Sequence, residues 1–152
     1  MAAVPHLLDT NILLRLAQHE DPEHALLKAA IDALIEEGAD LCYTPQNVVE
    51  FWNVFTRPRN KNGFGMTSVE ADRQTLLLER QFTFLQDNEQ IHTEWRRLVI
   101  AHAVSGVQVH DARLVAVMQV YAIPRLLTLN GTDFRRYPEI TVVHPREFQA
   151  AT

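Results

Sequence analysis

The chain reads as an α/β protein in three layers, with helices covering both faces of a parallel sheet of about five strands. Two observations carry that reading. Short apolar runs alternate along the whole length with stretches whose apolar residues recur at helical spacing. The 152 residues are 47% apolar, enough for one domain with a substantial core and too many for a disordered chain. No repeat, low-complexity tract or composition break divides the sequence, so residues 1–152 are taken as a single domain.

Val4 to Leu8 is the first strand, and Asn11 to Ala17, with Ile12, Leu13, Leu14 and Leu16, is a short helix at its exit. Asp21-Pro22 is a helix-start signal, because Asp can cap and Pro suits the first helical position. The helix it opens carries a stripe of Ala25, Ala29, Ile31, Leu34 and Ile35 and stops near Gly38. Leu41 to Tyr43 is the second strand. Thr44-Pro45 repeats the cap signal before a helix through Val48, Val49, Phe51, Trp52 and Phe55. Arg57 to Gly65, with Pro58, Gly63 and Gly65, reads as a mobile loop. A helix begins at Thr67 to Glu70, and Phe82 to Leu85 is read as the third strand, with continuation of that helix as the alternative. Glu89 to Val104 is an amphipathic helix broken by Gly106. His110-Asp111 opens a helix through Leu114, Val115, Val117 and Met118. Leu126 to Leu129 and Thr141 to Val143 are the last strands.

The net charge is −5, with 19 acids against 14 Lys plus Arg, which argues against a nonspecific nucleic-acid binder. It leaves room for a nuclease, whose acidic centre is offset by bound cations. The single Cys42 rules out an internal disulfide and fits a reducing compartment, with burial as its structural role. No leader-like segment and no apolar run of membrane-spanning length occurs, so a cytoplasmic protein with no membrane partner is expected.

Four acids stand in suggestive settings. Asp9 ends the first strand and Asp133 follows the fourth; Glu50 and Asp111 lie on or at the start of helices. In an open parallel sheet, ligands bind beyond the carboxyl ends of the strands, and all four can reach that edge. Taken singly, Asp111 is equally a helix cap and Glu50 a solvated residue. Taken together, like charges are costly unless a cation neutralises them. Oxygen-only ligands suit Mg²⁺ or Mn²⁺. Such a centre supports phosphodiester hydrolysis, because a divalent ion acidifies bound water and holds a phosphate oxygen. Asp9, Asp111 and Asp133 are the candidate metal ligands, with Glu50 completing the catalytic set. Thr10, Asn11, Thr128 and Asn130 are the polar neighbours able to orient them.

These residues resemble the PIN domain, and within it the VapC-type ribonuclease toxins of bacterial toxin–antitoxin systems. Leu7-Leu8-Asp9-Thr10-Asn11 is similar to that family's opening motif, Glu50 to its second acid, and His110-Asp111-Ala112 to its third. Thr128-Leu129-Asn130-Gly131-Thr132-Asp133-Phe134 is similar to the closing motif. The resemblance runs from Leu7 to about Val143. It implies strand order 3-2-1-4-5, a Mg²⁺-dependent endoribonuclease site, a homodimer and an antitoxin partner. Some members carry an acid where this chain has Asn130, so the number of metal ions is left open.

Arg57, Arg59, Lys61 and Arg15 are candidate contacts to RNA phosphates, set against a plain solvated role. Trp52 and Trp95 are assigned to packing ahead of base stacking. The competing functions are a PIN nuclease without an antitoxin, a phosphoryl-transfer module with Asp9 as nucleophile, and a non-catalytic binding domain. The phosphoryl-transfer reading is weakened by Asn11, which stands where a second Asp would be required.

Overall fold

The computed structural model describes residues 3–148; the outermost residues of the 1–152 span lie outside the described residues. Five strands form one parallel sheet: β1 (Pro5–Leu8), β2 (Asp40–Tyr43), β3 (Thr83–Phe84), β4 (Arg125–Leu127) and β5 (Thr141–Val143). Their order is β3-β2-β1-β4-β5, as the resemblance implied. The helices are α1 (Thr10–Leu16), α2 (His24–Glu36), α3 (Pro45–Thr56), α4 (Ser68–Gln81), α5 (Glu89–Ala101) and α6 (Gln108–Val120).

The three layers follow from side-chain alternation. Successive residues of a strand point to opposite faces. Leu7, Cys42 and Leu126 enter one apolar cluster with Ile91 and Leu98 of α5 and Leu114 to Met118 of α6. Their neighbours Leu8, Leu41, Tyr43, Leu127 and Val143 enter the other, with residues of α1, α2, α3 and α4. The inner strands β1, β2 and β4 are therefore apolar on both faces, which is why they read as continuous short runs, while the edge strand β3 is exposed.

Several boundaries differ from the sequence reading. α2 starts at His24 because the Asp21 carboxylate caps a turn ahead of it, accepting the Glu23 N–H at 2.8 Å. Its buried stripe is Leu27, Ala30, Ile31 and Leu34, whereas Ala25, Ala29 and Ile35 face outward. α6 starts at Gln108, so Asp111 lies within its first turn instead of opening it. β3 is two residues long, and β4 ends at Leu127. The stretch from Arg57 to Gly65 is held by its own backbone: Gly63 N–H bonds Pro58 O, Phe64 N–H bonds Val54 O, and Gly65 N–H bonds Arg57 O. Gly63 is required there, because a Cβ would stand 2.0 Å from the Arg57 carbonyl oxygen.

Candidate active site

The centre of the site is built where β1 and β4, adjacent in the sheet, run out. Asp9 follows β1 directly, and its N–H still bonds Leu127 O of β4 at 3.0 Å. The chain then turns into α1 with Asp9 as its N-cap, the carboxylate Oδ1 accepting the Thr10 N–H at 2.8 Å. Thr128, fully buried after β4, donates its hydroxyl to Asp9 Oδ2 at 2.7 Å. Its own oxygen accepts the Asn130 N–H at 3.0 Å. Asn11 donates to Asp9 Oδ2 at 3.4 Å, and its amide oxygen faces the Leu129 N–H at 3.5 Å. Asp9 is thus buried at 7% exposure with both oxygens held by protein donors.

The opposite wall comes from α3. Its first turn is locked by a reciprocal cap: Thr44 Oγ1 accepts the Asn47 N–H at 3.0 Å, and Asn47 Oδ1 accepts the Thr44 N–H at 2.9 Å. Asn47, fully buried, then donates Nδ2 to Thr10 Oγ1 at 3.0 Å. Thr10 passes the interaction on, donating its hydroxyl to Glu50 Oε1 at 2.7 Å. A hydrogen-bonded chain therefore runs from the start of α3 through α1 to Glu50. Asn47 was missed in the sequence. Its only local signal is its position three residues after a capping Thr, where Glu or Gln is the usual partner.

Asp111 and Asp133 complete the group less rigidly. Asp111 is half-buried in the first turn of α6. Asp133 is exposed on the single helical turn Gly131–Phe134 after β4. Burial, then the charges of Asp9, Asp133 and Glu50, push the Asp111 carboxyl up to about 7. The only opposing charge of note is Arg136, another residue the sequence reading passed over. Burial likewise raises Asp9, against the hydrogen bonds of Thr128 and Thr10, and Glu50 and Asp133 add to the rise.

The four acids share one field, which an added cation would relieve. Among the described residues, no three His, Cys, Asp or Glu side chains stand close enough to enclose a metal ion by themselves. Mg²⁺ keeps several waters and needs only one or two direct carboxylates, so the other acids would act on it through its water shell. Hard oxygen donors and an excess of negative charge fit Mg²⁺ or Mn²⁺.

The basic candidates lie apart from this group. Arg15 pairs with Asp21 at 2.6 Å, two turns from Asp9. Arg57 lies two turns beyond Glu50, about 10 Å along the helix axis, and donates to Asn62 O at 2.9 Å. Arg59 and Lys61 are exposed on the turn Arg59–Lys61. Among the described residues, no hydrogen bond or ion pair joins these three to the acids. Trp95 is a packing residue whose indole N–H bonds Val109 O at 2.9 Å. Cys42 is buried, its thiol pushed up to about 12 by desolvation.

The model of the PIN domain matches residues 6–140. The chain belongs to the PIN domain family. No curated protein matches the sequence. Among solved structures, this PIN domain is similar to VapBC2 from Rickettsia felis bound to a DNA fragment from its promoter. The TM-score is 0.69 at 11% identity, covering 93% of this chain and 98% of that one. It is similar to VapBC-1 from nontypeable Haemophilus influenzae, with TM-score 0.68 and 18% identity over 94% and 99% of the two chains. It is also similar to the sarcin-ricin-loop-cleaving toxin VapC20 of Mycobacterium tuberculosis, with TM-score 0.65 and 14% identity over 87% and 95%. At these identities the likeness establishes a shared fold. No helix among the described residues is long and apolar enough to cross a membrane.

Proposed function

We propose that the chain is a Mg²⁺- or Mn²⁺-dependent endoribonuclease and the toxin of a toxin–antitoxin pair, acting in the cytoplasm as a single catalytic PIN domain. The observation that carries the reading is Asp9: a buried carboxylate held by Thr128 and Thr10 within the field of three further acids. Asp9, Asp111 and Asp133 would hold the divalent ion in part through its bound waters, and its chemistry is to acidify water and neutralise charge on the phosphate. The protein's own contribution is orientation. Thr128 and Asn11 fix the Asp9 carboxylate, and the Asn47–Thr10 relay fixes Glu50. Glu50 Oε2, whose only hydrogen bond among the described residues comes from Gln46 Nε2 at 3.3 Å, is the atom available to accept a proton from the attacking water. Exposed Asp133 closes the solvent side, from which RNA would enter. Arg57, Arg59 and Lys61 would meet phosphates further along the strand.

An antitoxin segment and a second copy of the chain are the proposed partners. Support for the first comes from the VapBC complexes with which the fold is shared. It also comes from an apolar groove of about 480 Å³ lined by Leu13, Leu16, Ile31, Ile35 and Leu77. The test is expression of the chain alone against its Asp9→Asn variant, following growth and RNA integrity together. The reading expects growth arrest and RNA breakage with the parent alone. Intact RNA and normal growth with both would reject it.

A further inference from the structure

Beside the acids, α3 and α6 leave an open pocket of about 510 Å³, lined in part by Gln46, Val49, Glu50, Asp87, His110 and Arg113. Its polar groups are tied to one another. Arg113 Nη1 donates to Gln46 Oε1 at 3.2 Å, and Arg113 Nη2 lies 3.2 Å from Asp87 Oδ1. Gln46 Nε2 donates to His110 O at 2.7 Å and reaches Glu50 Oε2 at 3.3 Å. The Gln46 carboxamide is therefore held at both ends, and it orients the guanidinium against the carboxylate. Val49 adds an apolar patch, 68% exposed among these polar groups. An apolar surface beside fixed hydrogen-bonding groups is what an unstacked base requires.

We propose that this pocket takes the base of a nucleotide flanking the scissile phosphate, and that the base is guanine. The proposal rests on the ribonuclease reading and names its specificity. Arg113 and Asp87 present a donor beside an acceptor. Guanine presents the complement on its Watson–Crick edge: O6 accepts, while N1–H and the N2 amino group donate, matching the two oxygens of one carboxylate. Adenine and cytosine present the reverse order. Uracil matches at O4 and N3–H but turns O2 toward the carboxylate. Only part of the guanidinium's five donors is engaged, and among the described residues Asp87 Oδ2 has no hydrogen-bond partner, so both groups retain capacity for a ligand.

The test uses the full chain carrying Asp9→Asn, to prevent cleavage, with Mg²⁺ at low salt. The probes are labelled oligouridylates containing one guanosine, inosine or adenosine, and binding is read by fluorescence anisotropy. Guanosine is expected to bind about 10-fold tighter than adenosine, the scale of a bidentate base contact, with inosine between them because it lacks the N2 amino group. Asp87→Ala and Arg113→Ala, each folded by circular dichroism, should bring guanosine to the adenosine level. Equal binding of all three probes, or no binding of any, overturns the pocket; the ribonuclease reading is decided separately, by whether the parent chain cleaves RNA. If either variant fails to fold, the guanosine–inosine–adenosine order in the Asp9→Asn chain decides the matter alone.

Discussion

Replacing Asp111 by Asn should make the metal-free protein more stable at alkaline pH and leave it unchanged in acid. Burial and three neighbouring acids lift this carboxyl from an ordinary 3.8 up to about 7. A folded pKa above the unfolded one means that the folded chain keeps a proton the unfolded chain has lost. Ionising Asp111 therefore works against folding: the penalty is absent below about 4, grows from about 4 to about 7, and is complete above that. At ~1.4 kcal/mol per decade of proton affinity, its ceiling is ~4 kcal/mol. The side chain is partly exposed, and screening by solvent halves that to ~2 kcal/mol. Asn also forfeits the attraction of an anion to the first turn of α6, worth ~0.3–1 kcal/mol. The net expectation is a gain of ~1–2 kcal/mol at pH 8. The assay is urea unfolding of both proteins in excess chelator, at pH 8 and at pH 4. A variant less stable than the parent at pH 8, or a difference independent of pH, would refute the reasoning.

Thr128→Val keeps the shape but removes the donor to Asp9 and the acceptor for Asn130 N–H. Denaturant titration should show a loss of ~1–3 kcal/mol, and turnover should fall, with Thr128→Ser restoring most of both. Glu50→Gln should lower turnover at least ~10²-fold, the scale of a positioned general base, with unchanged secondary structure; a parental rate would assign Glu50 to a structural role. Replacing Arg57, Arg59 and Lys61 together with Ala should weaken RNA binding and flatten its salt dependence, with little change in the chemical step. An unchanged salt slope would leave that loop merely solvated.

The central strands β1, β2 and β4 were legible because both of their faces are covered, so each shows as a compact apolar run, whereas β3 at the sheet edge is two residues long and exposed. Strand order was not written in hydropathy and came from the resemblance of the four motifs. The stripe of α2 was misplaced because Ala25 and Ala29 weigh as apolar yet face solvent, while Leu27 and Ala30 turn inward. The start of α6 was misread for want of a polar cap: Val107 precedes it and makes no side-chain cap bond. At the site, the four acids were visible one by one, but the contacts that orient them were not. Thr10 to Glu50 spans 40 residues and Thr128 to Asp9 spans 119, distances that only the fold closes. Asn47 escaped for the same reason, and of Gln46 only its shared helix face with Glu50 was readable, since in sequence both resemble ordinary polar residues of a helix's first turn.

The central claim is that a divalent ion held by Asp9 and its neighbours cuts RNA. The most direct measurement follows cleavage of a structured RNA by the purified chain and by Asp9→Asn, each with Mg²⁺, with Mn²⁺ and with excess chelator. The account predicts cleavage only by the parent and only with metal, restored when Mg²⁺ is returned after chelation. Cleavage that survives the chelator, or that Asp9→Asn performs at the parent's rate, would contradict it.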